Sequence, residues 1–153
     1  MSLFHIHIEE GRNGLTECYL SGKIDEDSVF PKWPTAVQSV RIHLEGVKAI
    51  NSCGTREWIR WIQELPFTAQ VECLSCPKCM IDQMNWIEGF LPKGARIASF
   101  WVPYFCERCS LSFSCLVEIP EETRERVPCE KCETPAEAEV IVDKYLKRVR
   151  LSQ

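Results

Sequence analysis

The sequence predicts an α/β fold in which a sheet with helices occupies most of the chain and a small β-rich extension follows it. Residues 40–45 alternate apolar and polar side chains with the period of a half-buried strand. Residues 58–65 instead place Trp58, Trp61 and Leu65 at helical spacing on one face, which predicts a helix. The last third of the chain carries two Cys-x-x-Cys pairs between short strand-like segments, and it therefore predicts the β-rich extension.

The first two predicted strands form a hairpin. Residues 4–9 alternate apolar and polar side chains, a turn with two glycines follows at residues 11–14, and residues 15–24 form the partner strand. Two prolines lie among acidic and polar residues in the segment 25–34. We therefore expect a loop or one short helical turn there, not a long helix, before the next strand.

The middle of the chain predicts a strand followed by a helix, a second strand and a second helix. The helix follows directly after residues 51–54 and ends at Pro66, and its two tryptophans are expected in the core. Residues 67–74 predict the next strand, and residues 77–86 predict the second helix. A break with two glycines follows, which marks a domain boundary. The predicted domains are residues 1–95 and residues 96–153.

Composition excludes several classes of protein. With 153 residues, of which 45% are hydrophobic and 26% charged, the chain is long enough to bury a core without disulfides. Its first residues lack the basic and apolar segments of a signal peptide, and no apolar stretch is long enough to cross a bilayer. We therefore expect a cytoplasmic protein with reduced thiols and no membrane partner. The net charge of -4 argues against a nucleic-acid partner, because phosphate binding depends on Lys and Arg.

Four cysteines of the extension have the spacing of ligands of a structural zinc ion. They form two Cys-x-x-Cys pairs, and nineteen residues lie between the pairs. Each turn presents two sulfur atoms, and the intervening hairpin brings the two turns together around a tetrahedral ion. Because protein fills all four positions, no open position remains for catalysis. The predicted ligands are Cys106, Cys109, Cys129 and Cys132, whereas Cys115 is expected to pack as an apolar residue.

The predicted zinc ribbon is acidic. Six acidic and four basic residues lie between the first and the last predicted ligand, and four thiolates on one zinc ion add negative charge. Nucleic-acid binding by the ribbon is therefore not expected. Basic residues gather instead near the end of the chain, where they predict a solvated helix face. These residues are Lys144, Lys147, Arg148 and Arg150.

Three segments occur in the order found in STAS domains. They are Gly22-Lys23-Ile24-Asp25-Glu26, the strand over residues 40–44, and Ile50-Asn51-Ser52-Cys53-Gly54. Over residues 15–86 the chain resembles a STAS domain, the fold of bacterial anti-sigma factor antagonists and of the cytoplasmic tail of sulfate transporters. In that family a Gly-x-Leu/Ile-Asp segment closes an early strand, and Asp-Ser-Ser/Thr-Gly lies between a strand and a helix. Asn51 stands here at the position of the aspartate.

The resemblance implies a non-enzymatic protein-interaction module of bacterial signalling that switches partners through Ser52. The phosphorylated serine of the family falls on this residue, and the implied partner is a serine kinase of the anti-sigma-factor type. A serine at a strand-to-helix junction also lies beside free backbone N–H groups, which accommodate a phosphate. The alternative for this position is a helix cap by Ser52 or Asn51. The predicted partner-binding residues are Asp25, Asn51, Ser52 and Gly54.

A second group of thiols favours a different function. Cys76-Pro77-Lys78-Cys79 lies where a strand gives way to a helix, and it resembles the active site of thioredoxins and glutaredoxins. The alternative prediction is therefore a thiol-disulfide oxidoreductase that uses Cys76 and Cys79. If the two neighbouring strands run parallel, Cys53 would approach this segment and complete a second metal site or a regulatory disulfide. This second thiol cluster would comprise Cys53, Cys73, Cys76 and Cys79.

Overall fold

The computed structural model describes residues 3–153 and confirms the predicted α/β fold, with a mixed sheet, a second sheet and helices. The strands of the first sheet are β1 (His5–Glu10), β2 (Leu15–Ile24), β3 (Ser39–Ile50), β4 (Gln70–Leu74) and β5 (Arg96–Ile97). They lie in sequence order across the sheet. β1 is antiparallel to β2, and all other neighbours are parallel.

The predicted hairpin and the predicted loop after it are both confirmed. β1 and β2 are joined by a short turn at Arg12–Gly14, and β2 is connected to β3 by an irregular segment without a long helix. In that segment Trp33 stacks on Trp61 with ring centroids 4.1 Å apart. The indole N–H of Trp33 donates to the Trp61 carbonyl, and the indole N–H of Trp61 donates to the Pro31 carbonyl, each at 2.8 Å. These contacts hold the loop against the helix that follows β3.

Two helices separate the later strands of the first sheet. Helix α1 spans Ser52–Gln63, and helix α2 spans Lys78–Trp86. Both predicted core tryptophans of α1 are buried, Trp58 against Phe90 and Trp61 against Trp33. The strand predicted from residue 67 begins only at Gln70. Phe67 is 98% exposed in a turn that the Ala69 N–H closes onto the Pro66 carbonyl, so its apolar character does not mark a strand.

The second sheet is antiparallel and is followed by two short helices. Its strands are β6 (Ser99–Cys106), β7 (Leu111–Glu118), β8 (Arg126–Pro128) and β9 (Pro135–Ala138), in the spatial order β7-β6-β9-β8. Helix α3 (Val142–Tyr145) and helix α4 (Lys147–Leu151) end the chain, and α4 packs against α2. Among the helices of residues 3–153, none combines the length and the apolar character needed to cross a membrane.

The two sheets meet at Cys76. Its N–H donates to the Ser99 carbonyl at 3.0 Å, and its carbonyl accepts from the Trp101 N–H at 2.9 Å, so Cys76 pairs with β6 as a short parallel bridge. One apolar core runs through both sheets. The division into residues 1–95 and 96–153 stays a prediction. β5 follows that boundary in sequence but belongs to the first sheet, because it pairs with β4.

Candidate functional site

Four cysteine thiols converge at one end of the second sheet. Cys106 and Cys109 lie at the turn between β6 and β7, and Cys129 and Cys132 lie at the turn between β8 and β9. Their sulfur atoms all lie within 4.8 Å of one another. Within residues 3–153 this is the one cluster of three or more side chains suited to a metal ion. The structure therefore brings the four predicted ligands together.

The sulfur positions fit a tetrahedral metal site. An ion bound at about 2.3 Å from each sulfur atom would place the sulfur atoms about 3.8 Å from one another. The Sγ atoms of Cys106 and Cys132 are 3.6 Å apart, which is too far for a disulfide bond. All cysteines of the described chain are free thiols. The cluster can thus hold a metal ion with protein ligands alone.

Polar groups around the cluster stabilise negative charge on sulfur. The N–H of Lys131 donates to Cys129 Sγ at 3.4 Å. Hydrogen bonds from the side chain and backbone of Thr134 lower the pKa of Cys132 to about 6. Hydrogen bonding with Cys132, together with desolvation, raises the pKa of Cys109 to about 12. The Cys132 thiolate therefore forms more readily than the Cys109 thiolate, and a bound cation would offset the repulsion between neighbouring thiolates.

Asn51 caps helix α1, and Ser52 lies at the surface. The Asn51 side chain accepts a hydrogen bond from the Gly54 N–H at 2.8 Å. Ser52 is the first residue of the helix and is exposed. Of the two capping residues that the sequence allowed, the structure therefore selects Asn51. The hydroxyl group of Ser52 is left facing solvent.

The start of α1 and the turn after β2 share one edge of the first sheet. β2 and β3 are parallel neighbours whose last residues, Ile24 and Ile50, pair with each other.

No protein-family model, curated protein or solved structure matches the chain. The resemblance to STAS domains therefore rests on the residues that carry it, and membership of that family stays a prediction.

Asp25 and Gly54 stabilise the geometry of this edge. The Asp25 carboxylate accepts from the Asp27 N–H at 3.0 Å, and the Asp25 N–H donates to Ser28 Oγ at 2.8 Å. A Cβ atom added at Gly54 would overlap the Ile24 carbonyl and lie 2.8 Å from the Asp25 nitrogen. These two predicted partner-binding residues thus fix the turn and allow α1 to approach β2 closely.

A contact with Glu26 gives a physical reason for asparagine at position 51. Asn51 Nδ2 donates to a Glu26 carboxylate oxygen at 2.8 Å, and this hydrogen bond lowers the pKa of Glu26. An aspartate at position 51 would instead repel that carboxylate. No site role was predicted for Glu26 or for Thr134. Each of the two lies within two positions in sequence of a predicted site residue, Asp25 or Cys132. This closeness in sequence is the signal that could have indicated them.

Replacing Asn51 by alanine should lower the free energy of unfolding by about 1 kcal/mol, because α1 loses its cap. The pKa of Glu26 should rise toward its ordinary value, because the hydrogen bond that lowers it is lost. Chemical denaturation measures the first effect, and NMR titration of the Glu26 carboxyl group measures the second. The control variant Ser52→Ala should change neither quantity. Unchanged stability in Asn51→Ala would contradict the capping role.

The structure does not bring Cys53 to the other thiols of the predicted second cluster. β3 and β4 run parallel, but β3 continues for seven residues beyond His43, which pairs with the last residue of β4. Bulges in this stretch of β3 make its seven residues span the same length as five residues of β2. At about 3.3 Å per residue, the start of α1 lies roughly 17 Å beyond the end of β4. Cys53 is exposed there, whereas Cys73 and Cys76 are fully buried.

The environment of Cys76 and Cys79 does not favour thiolates. Burial raises the pKa of Cys76 well above its ordinary value, and the adjacent Cys73 thiol raises it further. Burial also raises the pKa of Cys79. Reactive cysteines of thiol-disulfide oxidoreductases instead have lowered pKa values and access to substrate. Cys76 has neither property in this structure.

Proposed function

We propose that this chain is a non-enzymatic protein-interaction module of bacterial signalling, a partner-switching component of the STAS type. Its contact surface surrounds Ser52, and phosphorylation of Ser52 modulates binding. The observation that carries the proposal is the exposed Ser52 hydroxyl at the start of α1, which is left at the surface because Asn51 supplies the cap.

A phosphate on Ser52 would change this edge in two ways. It would lie near the free N–H groups and the positive end of the helix dipole, which stabilise an anion. It would also add negative charge beside the turn that carries Asp25 and Glu26. A partner whose binding surface complements the unmodified edge would therefore lose affinity when Ser52 is phosphorylated.

The same proposal assigns zinc to the four-cysteine cluster and gives it a structural role. Four thiolates in tetrahedral arrangement are a ligand set typical of structural zinc, and they leave no open position for a substrate. The ion would fasten the β6–β7 turn to the β8–β9 turn. β8 and β9 contain only three and four residues, and β9 pairs with β6 at only two residues, so the ion would add a constraint to short strands.

Burial of the Cys76 thiol supports the binding module over the alternative, a thiol-disulfide oxidoreductase that uses Cys76 and Cys79. An assay of insulin disulfide reduction separates the two functions. We expect no reduction above background for the intact chain. Reduction by the wild-type chain that is lost in Cys76→Ser would contradict the binding-module proposal.

Phosphorylation is tested directly with the full chain. We expect incubation with ATP and serine kinases from its own host cells to add one phosphate at Ser52, detected by mass spectrometry. Ser52→Ala should remain unmodified, whereas Ser114→Ala, which changes another exposed serine in β7, should be modified like the wild type. Absence of phosphate at Ser52, or the same modification in Ser52→Ala, would contradict the switch.

A further inference from the structure

A tryptophan at the end of α2 lies exposed between two grooves. Trp86 is 73% exposed and lines a groove of about 710 Å³ on one side and a groove of about 440 Å³ on the other. Leu151 lines the larger groove and is 72% exposed, and Ile141 lines the smaller one and is 66% exposed. We call these three residues and the two grooves the Trp86 surface.

The walls of this surface are fixed by hydrogen bonds between α2 and the last two helices. Asn85 Nδ2 donates to the Tyr145 carbonyl at 3.0 Å, and Asn85 Oδ1 accepts from the Arg148 N–H at 2.9 Å. The floor of the larger groove includes Met84 and Leu91, which are 4% and 6% exposed. The grooves are therefore formed before any partner binds, and their floor is recessed and apolar.

Basic side chains surround the Trp86 surface, although the chain as a whole carries a net charge of -4. Lys78 also lines the smaller groove, but its ammonium group contacts the Asp82 carboxylate at 2.6 Å, so these two charges offset each other. Apart from Asp82, two acidic side chains line the grooves, Glu88 and Glu139. Four basic side chains remain, and within residues 3–153 none of them forms an ion pair: Lys93, Lys144, Lys147 and Arg148.

We propose that the Trp86 surface binds a segment of a partner protein in which acidic residues lie beside bulky apolar side chains. Exposed apolar patches with a polar rim mark interaction sites, and tryptophan is enriched among residues that dominate binding. Apolar side chains of the segment enter the grooves beside Trp86, and its carboxylates approach the basic rim.

The shape and charge of the surface favour this partner over a membrane or a nucleic acid. A bilayer presents a flat surface and leaves the recessed floor at Met84 and Leu91 unfilled, whereas a peptide side chain can occupy it. A nucleic acid requires several phosphate contacts, and here four basic side chains are opposed by two acidic ones. None of these residues belongs to the edge around Ser52, so this second interface goes beyond the proposed function.

The test selects peptides from a phage-displayed random library on the immobilised full chain. We expect the enriched peptides to combine acidic and bulky apolar residues. The most enriched peptide is then synthesised, and its dissociation constant is measured by isothermal titration calorimetry. Trp86→Ala should weaken binding about 30-fold, because an anchor side chain of the interface is lost. Lys144→Glu combined with Lys147→Glu should weaken it about tenfold, with a smaller loss at high salt.

Matched controls separate this surface from the rest of the molecule. Phe67→Ala removes another exposed aromatic side chain, and Lys32→Glu combined with Lys48→Glu reverses two exposed charges elsewhere. These variants should bind the peptide like the wild type, and Trp86→Ala should keep the wild-type melting temperature because Trp86 is exposed. Three results would overturn the proposal: no enriched peptide, enriched peptides that bind Trp86→Ala equally well, or Trp86-dependent retention of phosphatidylglycerol vesicles or duplex DNA.

Discussion

Replacing Cys129 by serine is expected to abolish zinc binding and to unfold the hairpin of β8 and β9. Three remaining thiols cannot complete the tetrahedral site, and structural zinc supplies on the order of 10 kcal/mol of free energy to small zinc-dependent folds. Elemental analysis should find one zinc ion per wild-type chain and none in Cys129→Ser. Hydrogen exchange should become fast over residues 126–138 in the variant, because the hairpin has lost the constraint that the ion supplies.

Cys115→Ser is the matched control for this experiment. Cys115 is a half-buried cysteine in β7, within the same sheet, but its thiol is not part of the four-cysteine cluster. The control should therefore keep its zinc ion and the slow exchange of the β8–β9 hairpin. A wild-type chain without zinc, or a Cys129→Ser chain that retains a full equivalent, would contradict the assignment of the metal site.

Replacing Gly54 by alanine should lower the free energy of unfolding by about 3 kcal/mol, because the added methyl group overlaps backbone atoms that cannot move independently. The obstructing atoms belong to Ile24 and Asp25 at the end of β2. To relieve the overlap, α1 must move away from the sheet and weaken the packing of its buried tryptophans. Chemical denaturation of the full chain measures the loss.

Gly89→Ala provides the comparison for this effect. Gly89 has a positive φ of 85°, but an added Cβ would meet no atom within 4 Å. Its replacement should therefore cost only the strain of the left-handed backbone, about 1 kcal/mol. If Gly54→Ala proved no more destabilising than Gly89→Ala, the close approach of α1 to β2 would not contribute to stability.

The parts of the fold that the sequence predicted are those encoded by strong local patterns. The β1–β2 hairpin has clear alternation around a glycine turn, and α1 has a buried face with a capped start and a proline after its end. The insertion of β9 between β6 and β8 was not predictable, because strands of three or four residues are too short to show a period. Pairing of such strands depends on contacts between distant parts of the chain.

The same distinction explains which site residues the sequence identified. Each pair of the four clustered cysteines lies within a single turn and has the spacing of metal ligands, so their convergence could be predicted. The position of Cys53 depends on how far β3 extends beyond β4, and that length is set by pairing between strands. Trp86 lies off the buried face of α2 that Met80, Ile81 and Met84 form. The grooves beside it depend instead on how α4 packs beside α2, which no pattern within either helix specifies.

The backbone around Cys76 determines how the two sheets can move. Besides the two hydrogen bonds of Cys76 itself, the Ala98 N–H donates to the Cys73 carbonyl at 2.8 Å and the Ser75 N–H donates to Ser99 Oγ at 2.7 Å. A hinge at this joint would break all four bonds together and open the core beneath them. The two sheets are therefore joined by backbone hydrogen bonds as well as by the shared core, and separating them would disrupt both.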